Sequence, residues 1–161
     1  MAQTVSKADP KGFWSPALHG VDMRLAFIIG GGADGLAVAE WLSYLACPRG
    51  FEVDLLDLQA AGLPEVCSHE VPTPPAVQDL VPWLAAADAF VVVIPECFPM
   101  SLVDWCAPQW RARPAAFAGR QDATEAAGPL RPFFATTVAE VIRYGRPRSA
   151  DRVLSLLRRE N

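Results

Sequence analysis

With 161 residues, 52% of them hydrophobic and 20% charged, the chain has the length and composition of one folded domain with a sizeable core, which excludes a disordered or fibrous protein. A net charge of -4 excludes the basic face that nucleic-acid binding requires. The longest apolar run, Ala85–Pro95, is broken by Asp88 and too short for a membrane span, and Met1–Asp22 lacks the apolar core of a secretory leader, so a cytoplasmic location with thiol cysteines is expected.

Residues 1–22 read as a flexible tail, polar and broken by Pro10 and Pro16, and the domain is expected to occupy 23–161. A strand over Arg24–Ile29 leads into the glycine-rich turn Gly30–Gly35. A helix over Leu36–Cys47 follows, stopped by Pro48 and Gly50. After a second strand, Phe51–Leu56, the loop Gln59–Pro75 precedes a helix over Ala76–Ala86 that Pro82 is expected to kink or shorten. Ala89–Ile94 (AFVVVI) is apolar throughout, as a central strand covered on both faces must be. Beyond the loop Pro95–Met100, Ser101 is expected to cap a short helix over Leu102–Ala107 that Pro108 ends. A strand over Pro114–Ala118, a broken helical stretch from Asp122 and a fifth strand over Val138–Tyr144 come next. The chain closes on an amphipathic helix, Ala150–Arg159, with Val153, Leu154, Leu156 and Leu157 inward. This alternation predicts an α/β fold: a doubly wound, five-stranded parallel sheet with helices on both faces and a ligand at the carboxyl ends of the strands.

A strand, a glycine-rich turn and a helix N-terminus together aim backbone N–H groups and the positive end of a helix dipole at the turn, an arrangement that favours phosphate. Gly30-Gly31-Gly32-Ala33-Asp34-Gly35 satisfies G-x-G-x-x-G, with Asp54 or Asp57 as candidate ribose ligand, which is the dinucleotide-binding reading for NAD or FAD. The acidic residue then lies further along than the usual distance of about 20 residues.

The remaining motifs resemble another family. Ala37–Leu42 (AVAEWL), Phe51–Leu58 (FEVDLLDL), Ala87–Glu96 (ADAFVVVIPE), Asp104-Trp105, Arg113–Gly119 (RPAAFAG) and Leu130–Phe134 are similar, in order, to segments of the NAD(P)H-dependent FMN reductases, which have a flavodoxin-like fold. The resemblance implies FMN as cofactor, NADPH or NADH as co-substrate and a homodimer. It also implies a small-molecule acceptor, or a partner flavin-using enzyme, for the electrons. Gly30, Gly31, Gly32, Ala33, Asp34 and Gly35 would then surround the flavin phosphate, with Pro95, Glu96, Cys97 and Phe98 against the ring and Gly119 and Arg120 at the ring's polar edge.

The sequence departs from that family at two loops. Where the family grips phosphate with Ser or Thr and usually Arg, this chain has Gly31, Gly32 and Ala33, and Cys97-Phe98 replaces the Tyr-Asn pair of a longer second loop. Asp34 either caps a helix beginning at Gly35 or sets a carboxylate against the phosphate. Arg120 either compensates for the missing cation or is an exposed turn residue, and Phe98 either stacks on the flavin or packs. Trp83, Trp105 and Trp110 belong either to the core or to a dimer surface.

No catalytic side chain stands out. The two histidines are His19 and His69, and no nucleophile motif accompanies them. Cys67-Ser68-His69-Glu70 lacks the second ligand pair of a structural zinc site, so no metal is expected. Few catalytic groups suffice where a flavin carries the hydride chemistry. The same poverty fits a flavodoxin-like domain that has lost flavin and serves as a non-catalytic binding or scaffold subunit.

Overall fold

The computed structural model of the chain describes residues 2–5, 23–30, 33–63, 72–94, 104–120 and 123–160. Its strands are Ala2–Val5 (β1), Met23–Ile29 (β2), Phe51–Asp57 (β3), Ala89–Val93 (β4), Pro114–Gly119 (β5), Thr136–Thr137 (β6) and Ile142–Arg143 (β7). Short runs rich in branched and aromatic residues suit a pleated surface buried on both sides. They pair in parallel in the order β3-β2-β4-β5, with Leu25 opposite both Val53 and Ala89 and with Phe90 opposite Ala115. β6 and β7 together fill the fifth position beside β5, completing the doubly wound flavodoxin-like order.

The expected fifth strand is split. Between the pairs Ala115↔Thr137 and Ala118↔Ile142, β5 advances by three residues and its partner by five. The surplus bulges out, and the ladder is held there by the Val138 N–H, which donates to the Ala115 carbonyl at 2.9 Å. The other edge also differs from expectation. β1, read from sequence as tail, pairs antiparallel with β3, from Ala2↔Leu56 to Val5↔Val53. Residues 6–22 lie outside the described residues.

Helices cover both faces. Ala33–Ala46 (α1) and Pro147–Glu160 (α5) bury Leu25, Phe27, Ile29, Val91 and Val93. Pro75–Ala86 (α2), Ala107–Trp110 (α3) and Ala123–Ala127 (α4) bury the alternate residues Ala26, Ile28, Phe90, Val92 and Phe117. That alternation is the period of a strand, and each large apolar side chain removed from water stabilises the fold by about 1.5–3 kcal/mol. Under α3 and α4, Trp110 meets Phe90 at 5.0 Å and Phe134 at 5.7 Å between ring centroids. Trp110 is thus a core residue and unavailable to a dimer surface, whereas Trp83 and Trp105 remain half-buried.

Prolines act differently from expectation. Pro82 does not end α2, which runs on to Ala86. Pro108 stands second in α3 instead of closing a helix, because a first-turn N–H has no intrahelical partner to lose. α1 ends where Pro48 and the left-handed Gly50 (φ 83°) close a 3-10 turn, with the Gly50 N–H donating to the Cys47 carbonyl at 3.1 Å.

One ion pair near the amino ends of the strands is half-buried. Arg24 Nε donates to Asp54 Oδ2 at 2.5 Å, and Asp54 is fully buried, its Oδ1 unpartnered among the described residues. Arg24 also lies over the Trp83 ring at 5.7 Å, and its N–H donates to Asp88 Oδ2 at 2.8 Å. The hydrogen bond to Asp54 raises the Arg24 pKa above its ordinary value, so the guanidinium stays charged. Arg24→Met, which strands the fully buried Asp54 carboxylate, is expected to cost about 2–4 kcal/mol in urea denaturation. The double change Arg24→Met with Asp54→Leu is expected to cost much less, since it removes both charges together.

Cys106 is buried beside α3, and desolvation of the thiolate pushes its thiol up from 9.0 to about 11. Its folded-state pKa is raised, so the stability it contributes is whole below about pH 9 and lost as pH rises toward 11. The melting temperature is therefore expected to fall more steeply between those pH values in the wild type than in Cys106→Ala, as calorimetry at stepped pH would record.

Candidate functional site at the carboxyl ends of the strands

β2 ends at Ile29, Gly30 is half-buried, and α1 begins at Ala33. Gly35 lets the helix start close against the strand it follows, since a Cβ there would stand 3.1 Å from Ile29 Cγ2. The first-turn amides of α1 lack intrahelical acceptors and carry the positive end of the helix dipole. Gly31 and Gly32 lie outside the described residues.

Asp34 does not cap a helix beginning at Gly35. It is the second residue of α1, because the helix starts earlier than its apolar pattern indicates. Its Oδ1 accepts a hydrogen bond at 3.0 Å from an Arg120 Nη2 that approaches from the loop after β5. With side-chain exposures of 77% and 60%, this pair adds little to stability, and its interest is in where it puts the two charges.

Arg120 is positioned from its own strand. Gly119 is buried at the end of β5, and a Cβ there would fall 2.7 Å from Ala123 Cβ and 3.3 Å from the Ile94 carbonyl oxygen, so only glycine lets α4 pack so closely. The Tyr144 N–H donates to the Gly119 carbonyl at 3.0 Å, and the Arg120 guanidinium lies over the Tyr144 ring at 5.5 Å. Tyr144 in turn sets its ring edge-on to Trp41 of α1, 5.4 Å between centroids. Sequence reasoning missed Tyr144 and Trp41. The available signal was that Tyr144 directly follows the fifth strand, at the end of the sheet where ligands bind.

Gly30, Ala33, Asp34 and Gly35 are thus brought together with Gly119 and Arg120. Pro95, Glu96, Cys97 and Phe98 lie outside the described residues, as do Cys67–Glu70 and both histidines. Ile94, which leads into the first of these segments, is tied to this edge by its N–H, donating to the Ala118 carbonyl at 2.9 Å. Among the described residues no three His, Cys, Asp or Glu side chains converge as metal ligands, and no helix is long and apolar enough to cross a membrane. The ribose ligands of the dinucleotide reading are not available as expected. Asp54 is buried against Arg24, and Asp57 Oδ1 accepts the Gln59 and Ala60 N–H groups at 3.0 and 3.2 Å in an Asx turn.

The described donors fit a flavin phosphate. The first turn of α1 supplies backbone N–H groups, Arg120 supplies a guanidinium, and the carboxylate of Asp34 is balanced by that guanidinium.

Strand order, helices on both faces and a phosphate-compatible first turn define a flavodoxin-like α/β protein. The chain belongs to the NADPH-dependent FMN reductase family, whose profile matches residues 23–146, more than half its length. Among solved structures it is similar to FerB, a flavoenzyme NAD(P)H:(acceptor) oxidoreductase from Paracoccus denitrificans. The two share 17% identity at a TM-score of 0.63 over 86% of this chain and 94% of that one, a likeness of fold. No curated protein matches the chain significantly. FMN, with NAD(P)H as electron donor, is the cofactor pair that family membership implies.

Gly119→Ala is expected to destabilise the protein by about 1–3 kcal/mol, the usual cost of overpacking, and to weaken any ligand contact made by Arg120. Denaturant midpoints for the two proteins check the first effect.

Proposed function

We propose that this chain binds FMN at the carboxyl edge of its sheet and reduces it with NADPH or NADH. The electrons pass on to a small-molecule acceptor or to a partner flavin-using enzyme. Besides family membership, the observation that carries this reading is the convergence of α1 and β5. The amide end of a 14-residue helix and the Arg120 guanidinium, 86 positions apart along the chain from Asp34, meet at one mouth. When bound, FMN supplies the N5 position that accepts hydride from a nicotinamide, so the protein's part is to bind, orient and shield.

On this reading the first-turn amides of α1 and the Arg120 guanidinium hold the phosphate. Gly119, which leaves no room for a Cβ, keeps the ring side of the edge close, with Pro95–Phe98 as its second border. A homodimer and a cytoplasmic location, where nicotinamide donors are supplied, belong to the same reading, and Trp83 and Trp105 are its candidate apolar surface.

Asp34 favours a second reading, a flavodoxin-like domain without flavin acting as a scaffold. A carboxylate at a helix N-terminus is itself favourable and competes with phosphate for that place. Titrating the protein with FMN while following flavin fluorescence separates the two readings. Quenching with a Kd on the order of a micromolar, together with NADPH oxidation by the flavin-loaded protein, is expected. Unquenched FMN at a hundredfold higher protein concentration, with NADPH oxidised at the protein-free rate, transfers the chain to the scaffold reading.

A further inference from the structure

The geometry points to Arg120 as the phosphate-discriminating residue of this chain and to Asp34 as its built-in competitor, so that flavin binds by exchanging one acceptor on Arg120 for another. This rests on the flavin reading above and adds which side chains recognise the charge of the ligand. A guanidinium beside a helix N-terminus is electrostatically misplaced, because the dipole there is already positive. Arg120 is held in that position nonetheless. Gly119 beneath it is locked into the ladder opposite Arg143, and its guanidinium rests on the Tyr144 ring at 5.5 Å. Asp34, at 3.0 Å and itself in the first turn of α1, neutralises it there.

Among the described residues Asp34 is the one side-chain hydrogen-bond acceptor of the Arg120 guanidinium, which has five donors and a side chain 60% exposed. A phosphate monoester carries close to two negative charges and three acceptor oxygens, and helix amides favour it at this position. It is therefore the stronger acceptor for Arg120, but it must enter against the Asp34 carboxylate. Among the described residues the neighbouring positions Gly30 and Ala33 offer no side-chain donor, and this pair is the charged element that tells a phosphorylated flavin from its unphosphorylated counterpart. Asp34 sets affinity downward, and Arg120 sets it upward only for the charged ligand. The outcome is a flavin that exchanges readily, suited to a protein that hands reduced flavin on.

The test is a set of equilibrium fluorescence titrations with FMN and with riboflavin, on the wild type, Arg120→Gln, Arg120→Lys and Asp34→Asn. Both sites are exposed, and matched melting curves confirm that each variant is folded. Arg120→Gln is expected to weaken FMN about tenfold, the loss of a charge-assisted hydrogen bond, while riboflavin changes by less than about twofold. Arg120→Lys is expected to recover part of the loss, since it keeps the charge without the planar fork. Asp34→Asn is expected to tighten FMN about threefold and to leave riboflavin unchanged. Raising salt to about 1 M is expected to draw the two flavins' affinities together in the wild type. Equal weakening of both flavins by Arg120→Gln, or FMN affinity indifferent to Asp34→Asn, overturns the assignment while the flavin reading stands. A wild type that binds neither flavin overturns the flavin reading and this inference with it.

Discussion

β2 is hydrogen-bonded to β3 on one side and β4 on the other, and the rest of the molecule depends on that double pairing. The chain leaves β2 through α1 toward one edge and later returns through α2 to the other side. A parallel crossover is right-handed in either direction, so reversing direction places α1 and α2 on opposite faces of the sheet. The crossovers diverge at the carboxyl ends, where the N-terminus of α1 stands. Because β2 and β4 are sealed on both faces, their register cannot slip without driving a whole apolar row into water.

Two of the ion pairs among the described residues, one at each end of the sheet, do opposite work. Arg24–Asp54 lies near the amino ends with its carboxylate fully buried, and Arg24 is held by Asp54, the Trp83 ring and Asp88, so losing Arg24 leaves a desolvated charge. Asp34–Arg120 lies in solvent at the carboxyl ends, where its contribution to folding is slight and its charges stay accessible. The fold thus holds one pair fast near the amino ends and leaves the other accessible at the carboxyl ends. Tyr144 links this mouth to α1 through Trp41, so the fifth strand's end and the first helix are coupled without touching a ligand.

Most of the sheet was legible in the sequence. β4 is apolar at every position, and β2 and β3 are short enough to be unambiguous as strands. What the pattern did not carry was whatever depends on pairing. β1 is strand only because β3 offers it an edge. The fifth strand is split because β5 and its partner differ in length between two fixed pairs. Pro108 was read as a stop, whereas its ring fits a helix start just as well as a helix end, and only the neighbouring turn decides. At the site, Gly30–Gly35 looks the same locally in dinucleotide-binding and flavodoxin-like proteins, because both need a tight turn under a helix N-terminus. Strand order and the fate of Asp54 separate them. The Asp34–Arg120 contact joins residues 86 positions apart, beyond the reach of any local pattern.

A crystal structure of the protein grown with FMN tests the central claim most directly. The flavin phosphate is expected within hydrogen-bond distance of the first-turn amides of α1 and of the Arg120 guanidinium, with Asp34 released from that guanidinium. Flavin density at any other edge of the sheet, or a phosphate bound while Arg120 remains on Asp34, would contradict it.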